Sequence, residues 1–281
     1  MNYTDFKTPT RLDEARALLK ELGDAAVPVA GSTLHVFLRD ETPRIAVDIT
    51  RLGLDGIRRE EGNFEIGATT RVAELLEFRD DGWVLDRVAD AFVSQTVRNA
   101  ATVGGSIVRT FPWSDFPVAL LVLNASMIIT GDSDRVVDAD TYFASQPFHH
   151  FQPGDLLTAI RVPPLVAGEG FGYHKERRTG SDFSRLTLAA RLDVREGRVG
   201  GLRIAAGSGV PLPTRLTAVE KALVGARPGP KKFAEAAEAG LEEVRWRGSA
   251  GLSDDYIRHL ASVRIVDVLT QAYEEAKGER S

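Results

Sequence analysis

Residues 98–108 read RNAATVGGSIV, and this stretch is the starting point for both the fold and the site. The adjacent Gly104 and Gly105 permit positive φ angles and close approach of a ligand, while Thr102 and Ser106 supply hydroxyl groups on either side. Such a loop is suited to binding phosphate oxygens. A tight turn between two elements explains the same residues, so both interpretations stand at this point.

The segment that follows the double glycine, FPWSDFP over residues 111–117, contains one carboxylate. Asp115 is placed either to cap a helix that begins near Pro117 or to accept hydrogen bonds from sugar hydroxyls. Capping is the ordinary role of an aspartate in front of an apolar run such as Val118–Leu123.

A second small-residue loop, VAGST over residues 29–33, comes earlier, where a predicted strand ends. Its small side chains let the backbone turn sharply with the amide groups exposed, and exposed amides bind phosphate oxygens. A plain turn from strand to helix is the alternative interpretation.

Two further motifs give weaker evidence for a binding site. The basic cluster YHKERR over residues 173–178, followed by Asp182, is typical of a solvated strand edge or loop. The sequence GSG over residues 207–209 is not a Rossmann site, because Pro211 and Pro213 stand where a helix would begin. The five histidines have no spacing typical of metal ligands, so no metal site is predicted.

Composition excludes several classes of protein. The chain has 281 residues, 43% of them hydrophobic, and a net charge of -5, which gives no electrostatic attraction for nucleic acid. It contains no cysteine, so any disulfide or iron–sulfur centre must lie on a partner. No signal peptide and no stretch long enough to span a membrane is found, and a cytoplasmic location is expected.

Apolar periodicity predicts an α+β protein that opens with a βαββ unit and has a domain boundary at Pro163 and Pro164. A glycine-bearing loop is predicted over Arg98–Ser106. The predicted strands are Val27–Ala30, Arg44–Asp48, Ile57–Glu60 and Phe64–Gly67 (a hairpin around Gly62 and Asn63), Met127–Thr130, Arg135–Val137, Leu156–Val162, Thr187–Val194 and Val199–Ala206. The predicted helices are Thr10–Leu22, Arg71–Phe78, Trp83–Val93 and three more near 217–225, 230–241 and 253–276.

The order of motifs along the chain resembles the FAD-binding, or medium, subunit of the xanthine dehydrogenase and aerobic carbon monoxide dehydrogenase family, the molybdenum hydroxylases. The resemblance covers nearly the whole chain, and its specificity lies in the order and spacing of the motifs. They are AGST (30–33), RNAATVGGSIV (98–108), SDFPVALLVLNA (114–125), YHKERRTGSD (173–182) and AAGSGVPLPTRLTAVEKALVG (205–225).

The resemblance implies a fold and its division. We expect a two-subdomain FAD-binding domain of the vanillyl-alcohol oxidase (PCMH) type over residues 1–167, with subdomains at about 1–55 and 56–167. A small α+β C-terminal domain of the carbon monoxide dehydrogenase flavoprotein type would follow over residues 168–281.

The resemblance also implies cofactor-binding residues. The two small-residue loops would hold the FAD pyrophosphate, Asp115 would contact the sugar part of FAD, and Lys175 would lie near the flavin ring. The implied residues are Pro28, Val29, Ala30, Gly31, Ser32, Thr33, Leu34, His35, Thr102, Gly104, Gly105, Ser106, Val108, Asp115 and Lys175.

Three positions depart from the family's pattern. Ser32 stands where the first loop usually has a second glycine, and it restricts the turn while leaving the amide available. Arg109 replaces a small or neutral residue and would either bind the pyrophosphate or face solvent. An ungapped alignment on Asp182 puts the flavin-side lysine at His174, whereas the nearest lysine is Lys175.

The implied function is electron transfer within an oxidoreductase complex. Electrons would pass from [2Fe–2S] clusters on a small subunit, supplied by a large molybdenum-cofactor subunit, through FAD to NAD, quinone or oxygen. The substrate pocket and the catalytic residues for the organic substrate would belong to the partner. The alternatives are a stand-alone flavin oxidase or reductase and a scaffold subunit that has lost its flavin.

Overall fold

The computed structural model describes residues 2–38, 41–249 and 251–278. The chain divides into two compact units, each assembled from separate stretches of sequence. The first unit contains the chain up to Phe78 together with Ser94–Arg109 and Ala125–Val162. The second contains Arg79–Val93, Thr110–Asn124 and the chain from Pro163 onward.

A parallel sheet with the strand order β1-β3-β2 opens the first unit. Its strands are β1 (Asn2–Lys7), β2 (Ala26–Val29) and β3 (Pro43–Asp48), and helix α1 (Leu12–Leu22) connects the first two. The apolar face of α1 buries Ala15 and Leu19 against the sheet, and the helix ends at Leu22, as predicted, with Gly23 following at a φ of 51°. The βαββ opening is therefore confirmed.

An antiparallel sheet with the order β4-β5-β8-β6-β7 forms the rest of the first unit's framework. Its strands are β4 (Ile57–Glu60), β5 (Asn63–Gly67), β6 (Ser126–Thr130), β7 (Arg135–Asp138) and β8 (Leu156–Val162). The predicted hairpin is present, but its turn is formed by Glu61 and Gly62, at φ angles of 50° and 80°, while Asn63 belongs to the strand. Two successive positive φ angles are typical of a tight hairpin turn.

Short helices complete the first unit: α2 (Val72–Glu77), α4 (Gln95–Ala100) and α6 (Ala139–Phe143). Helix α4 corrects the prediction of a loop from Arg98, because Arg98, Asn99 and Ala100 are helical. Ser94 caps this helix by accepting a hydrogen bond from the Val97 amide. A serine in front of a short helix is the sequence signal that marks its start.

The second unit is built on an antiparallel sheet with the order β12-β11-β10-β9. Its strands are β9 (Glu169–Glu176), β10 (Leu186–Arg195), β11 (Arg198–Gly207) and β12 (Thr214–Arg215), and its helices are α3 (Leu85–Asp90), α5 (Phe116–Val122), α7 (Thr217–Leu223), α8 (Pro230–Glu243) and α9 (Asp254–Ala276). The strands predicted at Thr187–Val194 and Val199–Ala206 are present and pair antiparallel, and the three predicted C-terminal helices are confirmed.

The two faces of this sheet differ in chemistry. One face buries leucines and alanines such as Leu188 and Ala190 in a core with α7, α8 and α9. The other faces α5, where Arg191 and Arg203 donate to the carbonyls of Leu123 and Leu121 at the end of that helix. Cationic groups are favourable at a helix C-terminus. A polar layer of the second unit therefore lies on this face.

Among the described residues, no helix combines the length and the apolar character that crossing a bilayer requires.

Candidate functional site

The first predicted loop leaves strand β2 and turns at Ser32, which has a φ of 54°. This is the left-handed region, which a glycine enters freely and which costs other L-residues roughly 1–2 kcal/mol. Ser32 thus adopts the conformation for which the family's usual glycine is suited. The departure from the family's pattern changes the energy of the turn and leaves its shape intact.

The same loop exposes a run of unsatisfied donors. The amides of Gly31, Ser32, Thr33 and Leu34 have no hydrogen-bond acceptor within the described residues. The series of free amides ends at His35, whose amide donates to the carbonyl of Ser32. Successive amides around a left-handed residue form a concave anion-binding site, or nest, because their N–H groups point to one side.

The nest lies against the second predicted loop. A Cβ on Gly31 would overlap the carbonyl oxygen of Ala100 and would come within 3.1 Å of Cα of Ala101. Ala101 directly precedes Thr102, where the second loop begins. The structure therefore brings the two loops together in space, and only a glycine at position 31 allows it.

The second loop uses its glycines differently from the prediction. Neither Gly104 nor Gly105 lies in the left-handed region, so positive φ is not the reason for the double glycine. Gly104 is buried, and its Cβ would lie 2.6 Å from the carbonyl oxygen of Ala68, to which its amide donates. Close backbone packing is what position 104 requires.

Most donors of the second loop are already used within the fold. The Ser106 amide donates to the carbonyls of Thr102 and Val103, and its hydroxyl also donates to Thr102. The exposed Gly105 amide donates to Oγ1 of Thr102 at 3.2 Å, which is a long bond to a rotatable hydroxyl. The first loop therefore supplies the free amides. In the second loop, the Gly105 amide can become available by breaking only its long hydrogen bond to Thr102.

Two side chains beside the loops have specific contacts. Arg109 is exposed, and its guanidinium lies over the ring of Phe148, 5.3 Å from its centroid. His35, at the end of the nest, shares a hydrogen bond between its Nδ1 atom and the hydroxyl of Tyr3. Tyr3 is a residue that sequence reasoning missed, because a contact between positions 3 and 35 has no local signal.

The other two predicted residues, Asp115 and Lys175, meet in the second unit. Nζ of Lys175 donates to Oδ2 of Asp115 at 2.7 Å, and both side chains are only 2% exposed. Asp115 stands at the start of α5 but makes no capping hydrogen bond, so the ordinary role of capping is wrong. Burial raises the pKa of Asp115, and the attraction of Lys175 opposes that rise.

Tyr173 completes this buried cluster. Burial and the charge of Asp115 raise the pKa of Tyr173 well above its usual range. The Tyr173 hydroxyl and Oδ1 of Asp115 are both buried, and in the described part of the chain neither has a partner at full hydrogen-bond distance. The two groups are nevertheless close enough to interact, and a hydrogen bond between them contributes to both pKa shifts. The Asp115 carboxylate therefore has two neighbouring donors, Nζ of Lys175 and the hydroxyl of Tyr173.

Strand β9 separates the two candidates for the flavin-side cation. Lys175 points to the α5 face with Asp115, whereas His174 points to the opposite face and contacts Glu176, with Nε2 3.0 Å from Oε2. The assignment of Lys175 to the flavin stays a prediction, as do the roles of the other site residues. No group of potential metal ligands comes together within the described ranges.

Two family profiles match the chain. The one described as the FAD binding domain in molybdopterin dehydrogenase matches residues 2–165, and the one described as the CO dehydrogenase flavoprotein C-terminal domain matches residues 171–272.

Known proteins are similar over most of the chain. Identity to the carbon monoxide dehydrogenase medium chain of Afipia carboxidovorans is 32% over 202 residues, which cover 69% of this chain and 70% of that one. Identity to the xanthine dehydrogenase FAD-binding subunit of Escherichia coli O157:H7 is 24%, over 99% of each chain. Carbon monoxide dehydrogenase from Hydrogenophaga pseudoflava, solved without the Mo-pyranopterin moiety of its cofactor, matches with a TM-score of 0.91 and 28% identity, covering 97% of this chain and 98% of that one.

These matches confirm the expected fold, an FAD-binding domain followed by a small α+β C-terminal domain, and FAD as the cofactor. The free amides of the nest fit that cofactor, because a diphosphate needs several donors converging from one side. The chain belongs to the FAD-binding (medium) subunits of the xanthine dehydrogenase and carbon monoxide dehydrogenase family, the flavoprotein subunits of molybdenum-containing oxidoreductases.

Proposed function

We propose that this chain is the electron-transfer subunit of a multi-subunit molybdenum hydroxylase, passing electrons from [2Fe–2S] clusters on a partner through FAD to an external acceptor. The observation that carries the proposal is the nest of free amides at Gly31–Leu34, which packs against Ala100 at the end of α4, just before the second loop. Because the chain has no cysteine, the iron–sulfur ligands belong to another polypeptide.

The first loop supplies the donors for the diphosphate. The backbone from Pro28 to His35 would hold it, and the exposed Gly105 amide would exchange its bond to Thr102 for a phosphate oxygen. A hydrogen bond to a charged acceptor contributes about 1.5–3 kcal/mol. Several such bonds supply a large share of cofactor affinity without a dedicated lysine or arginine.

The second unit supplies the buried polar residues. Asp115 would accept a hydrogen bond from a sugar hydroxyl, which is the role that the resemblance to the family implies for this position. Lys175 would lie beside the flavin, where its charge, partly balanced by Asp115, favours an anionic reduced ring and so raises the reduction potential. When bound, FAD accepts single electrons and releases a pair.

In the proposed complex, the remaining cofactors would belong to other subunits. A large subunit would hold the molybdenum cofactor and the organic substrate, and a small subunit would hold the [2Fe–2S] clusters. NAD, quinone or oxygen would be the acceptor, and the complex would be cytoplasmic. Within this chain the FAD-binding domain would cover residues 1–167, with subdomains at about 1–55 and 56–167, and the C-terminal domain residues 168–281.

Affinity isolation of the tagged full chain from its native host tests the proposal. We expect bound FAD with absorption bands near about 370 and 450 nm, together with a large molybdenum-containing subunit and a small iron–sulfur subunit. A single yellow chain that turns over a substrate would establish the stand-alone oxidase or reductase instead. A colourless chain in the same complex would establish the flavin-free scaffold.

A further inference from the structure

Strand β9 lies at the edge of the second unit's sheet, where β10 is its one neighbour among the described strands. An edge strand directs every second amide and carbonyl away from the sheet. Phe171 and Tyr173 are such residues, because the amides of both donate to side chains outside the sheet. Edge groups of this kind are a template for the addition of another strand when nothing occupies them.

Helix α9 supplies the acceptors for these two amides. The Phe171 amide donates to Oε2 of Glu275 at 2.9 Å. The Tyr173 amide donates to Oε1 of Gln271 at 3.2 Å. Four residues of a helix rise about 6 Å, and two residues of a strand rise about 6.6 Å. The spacing of the two acceptors along α9 therefore matches the spacing of the two amides along β9.

Arg87 on α3 completes the pairing of Phe171. Its Nη1 atom donates to the Phe171 carbonyl at 2.7 Å and to Oε2 of Glu275 at 2.8 Å. Phe171 therefore gives its amide to a carboxylate and accepts an N–H at its carbonyl, which are the two bonds that a residue of an adjoining strand would make. Charged side chains at an edge also disfavour strand addition, because an incoming strand would have to displace the ion pair.

Two glycines of β9 allow the helix to lie this close to the strand. A Cβ on Gly170 would lie 2.0 Å from the carbonyl oxygen of Ala272, and a Cβ on Gly172 would lie 2.0 Å from that of Val268. A side chain at either position would push α9 away from β9. The acceptors on α9 would then no longer reach the amides of the strand.

We propose that Arg87, Gln271 and Glu275 form an edge cap, a set of side chains that takes the place of a fifth strand beside β9 and prevents a second copy of this chain from pairing there. Identical edges can pair across a two-fold axis, so a second copy always offers a complementary edge. The inference is independent of the proposed FAD function, although β9 also carries Tyr173 and Lys175 of the buried cluster.

The test uses the full chain and substitutions on α9. Gln271→Ala and Glu275→Ala each remove one acceptor, whereas Gln271→Glu keeps a carboxylate acceptor at the same position. Glu274→Ala is the matched control, because it removes the same charge from the neighbouring position of the helix. Amide hydrogen exchange is followed residue by residue by NMR, and self-association is followed by analytical ultracentrifugation.

Each single variant should release one amide. The Tyr173 amide should exchange about tenfold faster in Gln271→Ala, and the Phe171 amide about tenfold faster in Glu275→Ala, because each loses one hydrogen bond. Gln271→Glu and Glu274→Ala should keep the exchange rates of the wild type. The double variant of Gln271→Ala and Glu275→Ala should self-associate at least about tenfold more strongly than the wild type, and both amides should regain protection as its concentration rises.

Three results would overturn the inference. Unchanged exchange of both amides in the double variant would show that α9 does not cap the edge. Faster exchange without stronger self-association would show that the open edge does not pair, and stronger self-association that leaves the two amides unprotected would place the new contact elsewhere. Because Gln271 is exposed, Gln271→Ala by itself decides whether Tyr173 is capped if the double variant does not fold.

Discussion

The carbonyl oxygen of Ala100 occupies the position that a side chain on Gly31 would need. This contact joins the nest to the loop that begins at Thr102, although the two stretches are about seventy positions apart in the sequence. The requirement at Gly31 is therefore one of space and not of backbone angle. The shape of the proposed phosphate site depends on this single close approach.

Replacing Gly31 with alanine should separate the two loops. We expect the free energy of unfolding to fall by about 1–3 kcal/mol, as for other overpacked sites, and FAD content to fall at least about tenfold. Thermal unfolding and the flavin absorbance of the purified chain measure the two effects. Gly180→Ala is the control, because no atom lies within 4 Å of the added Cβ and its φ is unstrained. Full FAD occupancy in Gly31→Ala would refute the role of the contact.

The adjacent glycines of the second loop should respond differently to the same substitution. Gly104→Ala meets the backbone of Ala68 in a buried position, whereas Gly105→Ala meets only the hydroxyl of Thr102, 2.8 Å away, at an exposed position. We expect Gly104→Ala to lose about 1–3 kcal/mol of stability and Gly105→Ala to lose less than about 1 kcal/mol. Chemical unfolding of the two variants, measured in parallel, decides the point. Equal losses would contradict it.

Ser32→Gly should be tolerated and should relieve the left-handed turn. The free energy of unfolding is expected to rise by up to about 1 kcal/mol, because the strain of serine at a φ of 54° disappears while glycine adds flexibility to the unfolded chain. FAD binding should persist. Ser32→Val, with a branched side chain at the same angle, should lower both stability and FAD affinity. If Ser32→Gly is the less stable protein, the serine makes a contact that outweighs the strain.

The sequence predicts the framework better than the site. Helix α1 and the hairpins follow from apolar periodicity and glycine turns, which are local signals. The free amides of the first loop depend on which acceptors the rest of the chain brings near them, and no local pattern records that. Motif order nevertheless identifies both loops, because each is marked by small residues at the end of an element.

The pairing of Asp115 with Lys175 illustrates the same limit on sequence reasoning. Each residue is recognisable as a candidate by motif, but they are sixty positions apart, and the sequence treats one as a helix cap and the other as part of a basic cluster. Only the folded structure, which brings the start of α5 to the side chain of Lys175 on β9, shows that each is the partner of the other. Long-range ion pairs of this kind depend on tertiary packing, which no single segment of the sequence specifies.

Replacing either member of this buried ion pair should lower the free energy of unfolding. Lys175→Met leaves the Asp115 carboxylate unpaired, and Asp115→Asn leaves a buried ammonium, so each should lose about 3–5 kcal/mol of stability. The double variant should lose less than the sum of the two, because neither charge is then left alone. Denaturant unfolding of the four proteins gives the coupling energy. Arg11→Ala, in an exposed pair with Asp13, is the control and should change stability by less than about 1 kcal/mol. Additive losses from the two buried sites would contradict the pairing.

His35 should make the stability of the protein depend on pH below neutrality. Burial lowers its pKa in the folded state, so in acid the unfolded chain binds the proton more readily than the folded chain does. The stability contributed by the neutral ring is complete above the unfolded pKa of about 6.5 and is lost as the pH falls through that value toward the folded pKa. His35→Gln has no group that titrates in this range, so the difference in unfolding free energy between the two proteins should change between pH 7 and pH 5, with the wild type losing more. Unfolding curves at intervals across this range measure the difference, and parallel profiles for the two proteins would show that the ring is as easily protonated in the folded chain as in the unfolded one.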